Sequence, residues 1–121
     1  MPEEDSVIFN RNIILTSAKP ILKDDFILKI KELAGNIVSL LKGNGTNHLG
    51  HIKFITTTNG EDYLQISIVD IDQMPKVEGF LRKAFEKIKI TLNIIAFGVK
   101  KEEVELKLTE EIGKLQSYYG T

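Results

Sequence analysis

Two histidines and two aspartates are the side chains of this chain that are best suited to bind a metal ion. His48 and His51 lie three residues apart where a glycine-rich segment enters a predicted strand, and Asp70 and Asp72 follow a later strand. Imidazole nitrogen suits zinc, and carboxylate oxygen suits hard cations. Residues three apart on a strand point to opposite faces, so only a bent loop brings both imidazoles to one ion. The alternative, which we favour, makes His48 a loop residue, His51 a surface strand residue and Asp72 a helix cap.

Catalytic chemistry is not indicated by the other side chains. The chain has no cysteine, which excludes disulfides, thiolate metal sites and a cysteine nucleophile. No serine lies in a G-x-S-x-G turn, and no G-x-x-x-x-G-K-[ST] phosphate loop is present. The glycine-rich residues 43–50 run from a helix into a strand, whereas phosphate loops run from a strand into a helix. The sequence therefore favours a protein without catalytic activity and without a cofactor.

Charge and composition favour one cytoplasmic domain. The 121 residues are 42% apolar and 27% charged, and 16 Lys and Arg nearly balance 17 Asp and Glu. Residues 1–5 are acidic and no apolar run approaches 18 residues, so we expect neither a targeting segment nor a membrane span. Abundant Lys and Glu without cysteine are also typical of thermophile proteins.

Apolar periodicity predicts the elements that must position the candidate residues. The pattern predicts strands over 7–16, 51–58, 63–68 and 88–97, and helices over 24–42, 75–88 and 102–118. This order is that of a ferredoxin-like βαββαβ sandwich, an α+β fold with a four-stranded antiparallel sheet, with an extra C-terminal helix. We expect residues 1–121 to form this single domain.

One face of such a sheet is covered by the two crossover helices, and the other is left for function. We expect that face to carry the partner-binding residues His51, Lys53, Tyr63, Gln65 and Asn93. Five apolar residues would make one end of it apolar, namely Ile14, Ile55, Val69, Ile95 and Phe97. An apolar patch with a polar rim is typical of a surface for a partner or for self-association. The alternative is that the C-terminal helix folds across this end.

Four-stranded sheets of this topology also bind RNA, which stacks its bases on aromatic side chains. Here only Tyr63 and His51 could stack, the RRM signature is absent, and the net charge is -1. Single-strand RNA binding is therefore a lesser alternative, and we expect no nucleic acid and no membrane as partner.

Four short segments carry a family resemblance. They are the run from Leu49 to Lys53, the turn near Gly60, the pair Tyr63 and Leu64, and the strand over 93–99 followed by two glutamates. Over residues 49–115 the chain resembles the small α+β accessory domain of CobW-type GTP-dependent metallochaperones. The phosphate loop and metal-binding cysteines of that family have no counterpart here. The resemblance therefore implies a separate copy of a regulatory or substrate-docking domain, and no catalytic residue is carried over.

Together these features predict a cytoplasmic binding or assembly module that self-associates or docks a protein partner through the open sheet face. The alternatives are a small-ligand or metal-ion binding protein that uses the His48 and His51 loop, and a single-strand RNA binder.

Overall fold

A five-stranded sheet and two helices make up the described part of the chain, in a computed structural model that describes residues 6–43, 49–59, 61–70 and 72–120. The elements are, in order, β1 (Ser6–Leu22), α1 (Lys23–Gly43), β2 (Leu49–Thr57), β3 (Tyr63–Ile68), β4 (Lys76–Phe80), β5 (Ala84–Phe97) and α2 (Lys101–Tyr119). The strand order across the sheet is β1-β5-β2-β3-β4, and every neighbouring pair is antiparallel. The predicted α+β class is therefore confirmed.

The first predicted helix, the central hairpin and the C-terminal helix are confirmed. The helix predicted over 24–42 is α1, and its buried residues recur at helical spacing from Phe26 to Leu41. The hairpin of β2 and β3 pairs Ile52 with Ile68 and Phe54 with Ile66, which keeps these buried apolar side chains on one face. The C-terminal helix is α2, with Glu102 and Glu103 in its first turn, where negative charge is favourable.

The helix predicted over 75–88 is wrong. This segment forms β4, a short turn and the start of β5. Gly79 has a φ of 101°, and a Cβ there would collide with the carbonyl oxygen of Tyr63. Proline, valine, glycine and phenylalanine in one short run are poor helix formers, and β3 offers this segment backbone partners along its whole length.

The predicted ferredoxin-like order with four strands is therefore also wrong. Without a second crossover helix, the chain continues from β3 into β4 as a hairpin and then crosses to β5. One part of the predicted topology remains. β1 and β2 flank β5 and are both antiparallel to it, so they run parallel to each other and α1 connects them as a split β-α-β unit.

Both helices lie on the same side of the sheet. Buried residues of α1 and α2 join the inward side chains of the strands in one core, in which Phe26 meets Phe85 edge to face at 5.6 Å. The helices contact each other through Glu111, whose carboxylate accepts hydrogen bonds from Asn36 at 2.6 Å and Lys114 at 2.9 Å. Burial would raise the pKa of Glu111, but these donors outweigh it and lower the pKa. The alternative that α2 folds across the open sheet face is thus wrong.

The first turn of α1 is also joined to the last turn of α2. Asp25 in the first turn of α1 accepts hydrogen bonds from the hydroxyls of Tyr118 at 3.3 Å and Tyr119 at 3.0 Å. Burial, and then the neighbouring Asp25 carboxylate, raise the pKa of Tyr119. Among the described residues, neither helix is long and apolar enough to cross a membrane.

Candidate functional site

The face of the sheet opposite the helices, here called the open face, is the candidate site. Along β1, β2, β3 and β5 the buried side chains alternate with exposed or half-exposed ones, and the helices cover only the buried set, whereas all five residues of β4 are exposed. Residues that lie opposite one another on adjacent strands form rows across the open face. The rows are Ile8, Ile95 and His51; Asn10, Asn93, Lys53, Ser67 and Lys76; Asn12, Thr91, Ile55, Gln65 and Glu78; and Ile14, Lys89, Thr57, Tyr63 and Phe80.

All five residues predicted to bind a partner lie on this face. Lys53 is directly opposite Asn93 on β5 and lies two residues from His51 on the same strand. Gln65 lies in the neighbouring row, and Tyr63 lies in the outermost row, opposite Phe80. Directly opposite residues have their Cα atoms about 5 Å apart. The structure therefore groups Lys53, Gln65 and Asn93 in the two middle rows and places His51 and Tyr63 in the rows at opposite ends.

A depression of about 400 Å³ lies on the open face over β2, β3 and β4. Its lining is polar and of mixed charge, with His51, Lys53, Gln65, Ser67, Lys76 and Glu78 among its residues. Lys76 pairs with Glu78 at 2.8 Å, which raises the pKa of Lys76 and lowers the pKa of Glu78. Lys53 makes no ion pair within the described part of the chain, so its charge is available to a ligand or partner.

Large apolar side chains are exposed at both ends of the open face. Ile8 is 58% and Ile14 is 54% exposed on β1, and Tyr63 is 51% and Phe80 is 68% exposed on β3 and β4. The predicted single apolar end is not what the register shows, because Ile14 lies in the row of Tyr63 whereas Ile95 lies in the row of His51. Apolar side chains therefore border a central polar region on both sides.

Three residues of this face were missed by the sequence reasoning, which placed them on a helix. Lys76, Glu78 and Phe80 belong to β4 and extend the open face by a fifth strand. The alternation of Lys76, Glu78 and Phe80 with Val77 and Gly79 was the signal that could have identified a strand.

Asp62 fixes the end of the open face that carries Tyr63. Its side chain is only 7% exposed, and it accepts hydrogen bonds from the hydroxyl and backbone N–H of Thr58 and from the backbone N–H of Arg82. The Arg82 guanidinium also lies 3.4 Å away. Burial would raise the pKa of Asp62, but these donors outweigh it and hold the pKa at about 2. The carboxylate thus joins the turn before β3 to the turn before β5.

The four residues predicted to bind metal do not form a described cluster. His48 lies outside the described residues, and His51 projects from β2 on the open face. The Asp70 carboxylate accepts a hydrogen bond from the backbone N–H of Asp72 at 3.0 Å, and the Asp72 carboxylate pairs with Lys42 at 3.4 Å. Asp72 therefore lies in a turn and caps no helix. No group of three or more His, Asp or Glu residues that could hold a metal occurs in the described ranges.

No family model matches the chain, and no curated protein matches it either. Among solved structures, it is similar to the Zn(II)-bound YjiA GTPase from E. coli, with 16% identity over 85% of this chain and a TM-score of 0.44. A Zn(II)-bound triple mutant of YjiA GTPase gives 16% identity, the same coverage and a TM-score of 0.45. The chain spans about 29% of the length of those proteins. TM-scores below 0.5 are too low to support a conclusion about function.

Proposed function

We propose that this protein is a non-catalytic docking module that binds a protein partner through the open face. The observation that supports this most directly is the position of α1 and α2, which both cover the opposite face and leave the open face to solvent. Exposed apolar patches of this kind are typical of binding surfaces, because a monomer gains nothing from presenting them to water.

The mixture of side chains on the open face also fits a protein partner. Tyr63 and Phe80 provide rigid aromatic area, which is typical of residues that dominate binding energy. Asn93, Gln65 and Lys53 provide donors and acceptors between them, and interfaces need about one hydrogen bond per 100–200 Å². The resemblance of residues 49–115 to a small α+β accessory domain implies a regulatory or substrate-docking domain, and the second of these agrees with the proposal.

The buried titratable groups of the described residues support a role without catalysis. Strongly shifted carboxylates are often catalytic when they line a cleft. Here Asp62 joins two turns and Glu111 joins two helices, and the donors that surround them explain their lowered pKa values. Glu111 borders a smaller depression between the two helices, and neither carboxylate lines the depression on the open face.

The docking proposal predicts that substitutions at the exposed aromatic end abolish partner recovery without unfolding the protein. Proximity cross-linking of tagged protein in its native cells, followed by mass spectrometry, should recover a partner with the wild type and lose at least nine tenths of it with Tyr63→Ala and Phe80→Lys combined. Leu106→Lys, on the exposed outer surface of α2, is the charge-matched control and should retain the partner. A partner retained by the double variant, with melting temperature unchanged, would contradict docking through this face.

A second candidate function, supported by the depression, is the binding of a small anion. Its volume of about 400 Å³ lies in the range of small-molecule sites, and Lys53, His51 and Ser67 offer a cation and hydrogen-bonding groups there. Phosphate, citrate and zinc are suitable probes in a thermal-shift titration, because a ligand that binds only the native state must stabilise it. An anion site predicts a rise in melting temperature with phosphate or citrate that Lys53→Ala removes. A melting temperature that rises only with zinc would favour the predicted histidine site. No rise with any probe at millimolar concentration would exclude both the anion site and the metal site.

A further inference from the structure

The outer edge of β1 is the second unusual surface of the molecule. β1 comes first in the strand order and pairs only with β5, so its other edge has no strand partner among the described residues. Residues 6–16 pair with β5 without a register shift, and the first irregularity comes between Thr16 and Ile21. The sheet therefore ends in eleven consecutive residues of regular strand.

This edge has little of the usual protection against pairing with another chain. Natural edge strands are short, contain proline or charged side chains that point outward or inward, or are interrupted by bulges. The opposite edge, β4, follows this rule, because it is five residues long, follows Pro75 and carries Lys76. On β1, in contrast, Lys19 and Pro20 occur only in the irregular part. Residues 6–16 contain neither lysine nor proline, and Arg11 is their one charged residue.

The sequence of residues 6–16 is nearly symmetric about Arg11 in the class of its side chains. Consider two copies of this strand paired antiparallel and centred on Arg11. The numbers of any two residues that face each other then add up to 22. Asn10 then faces Asn12, Ile8 faces Ile14, and Ser6 faces Thr16. On the helix side Phe9 faces Ile13 and Val7 faces Leu15.

Neighbouring registers do not give this match. Opposite residues in an antiparallel pair share a face, so only even sums keep the buried side chains of both copies on one side. A sum of 20 places Ile8 against Asn12 and Phe9 against Arg11. A sum of 24 places Asn10 against Ile14 and Arg11 against Ile13. The symmetry therefore selects one register.

The two Arg11 residues meet at the centre of this pair, and each already has partners within its own chain. Each guanidinium donates a hydrogen bond to the carbonyl oxygen of Asn10 at 3.0 Å, and it lies 3.6 Å from Glu105 of its own α2 and 5.6 Å from the centre of the Phe9 ring. Both Arg11 and Glu105 belong to the helix side, so the open face at the joint carries only uncharged side chains, those of Ser6, Ile8, Asn10, Asn12, Ile14 and Thr16.

From these observations we propose that two copies of this chain form a symmetric dimer through antiparallel pairing of residues 6–16 of β1, in the register that places Ile8 against Ile14. The pairing joins two five-stranded sheets into one of ten strands and adds roughly ten backbone hydrogen bonds. It also brings Ile8 into contact with Ile14 of the second copy, and both side chains are exposed in the single chain. This dimer does not depend on the proposed docking function, since it uses the strand edge and leaves Tyr63 and Phe80 free.

Because the chain has no cysteine, introduced cysteines test this register directly. Ile8→Cys and Ile14→Cys proteins, mixed in equal amounts and mildly oxidised, should form a disulfide-linked dimer. Either protein alone should form at least tenfold less, because identical positions lie six residues apart, about 20 Å, across the joint. Self-linking of one variant as fast as in the mixture would overturn the register.

The molar mass in solution tests the dimer itself. Light scattering at micromolar concentration should give twice the chain mass for the wild type and for Phe80→Lys on the opposite edge. Ile8→Lys combined with Ile14→Lys should halve the mass while leaving the circular dichroism spectrum unchanged. A monomeric wild type at high protein concentration, or a dimer that survives the double lysine variant, would overturn the proposal.

Discussion

Single side chains determine how firmly the ends of the open face are held. Asp62 is the clearest case, because one carboxylate receives donors from two turns that are 20 residues apart in the chain. Such hydrogen bonds to a charged acceptor are stronger than neutral ones. At the residue scale, the open face therefore depends on a side chain that does not lie on it.

Asp62→Asn is expected to lower the free energy of unfolding by about 1 kcal/mol, because the amide keeps the shape and loses the charge. The pKa is about 2 in the folded chain against the ordinary 3.8. The ionised form therefore stabilises the fold above pH 4, and this contribution is lost as the pH falls from 3.8 toward 2.

Urea denaturation at pH 7 and at pH 3 measures both effects. The difference in stability between the wild type and Asp62→Asn should be larger at pH 7. Glu61→Gln, at the exposed neighbouring position, is the control and should change stability little at either pH. An equal loss of stability in Asp62→Asn and Glu61→Gln would show that the Asp62 carboxylate does not stabilise the fold through its hydrogen bonds.

At the scale of elements, β4 makes the sheet five-stranded where the sequence predicted four strands. The apolar residues of this segment have a helical spacing, but its backbone pairs with β3 and its side chains alternate between the two faces. Gly79 makes this strand possible, because its φ of 101° and the nearby Tyr63 carbonyl leave no place for a Cβ.

Gly79→Ala is expected to destabilise the protein by about 1–3 kcal/mol, the usual cost of placing a side chain in a left-handed backbone conformation. The matched control is Gly113→Ala in α2, where a Cβ meets nothing within 4 Å. Alanine in that helix should stabilise by about 0.5–1 kcal/mol. Urea denaturation of both variants measures the difference, and two changes of the same sign would contradict the strained position at Gly79.

At the scale of the whole molecule, the arrangement of layers separates two surfaces. Both helices occupy one side of the sheet, so the open face is available to a partner while the edge of β1 is available to a second copy. Substitutions at Phe80 and at Ile8 lie on opposite edges of a five-stranded sheet. Loss of the partner and loss of the dimer can therefore be measured independently.

The open face was predicted more accurately than the fold that carries it. Alternation along each strand places His51, Lys53, Tyr63, Gln65 and Asn93 on the side away from the buried apolar residues. This holds whatever the order of the strands. The same local logic failed for Phe80, since a short apolar run fits a helix and a strand almost equally well.

The sequence by itself determined the α+β class, both helices, the hairpin of β2 and β3, and which side of each recognised strand faces solvent, because these follow from periodicity along the chain. The tertiary structure alone decided that residues 76–80 form a strand, that α2 packs beside α1, and that β1 lies at an edge. These features depend on contacts between residues far apart in the chain, such as Glu111 with Asn36 and Gly79 with Leu64. Local patterns do not specify such contacts, because several packings can bury the same apolar side chains.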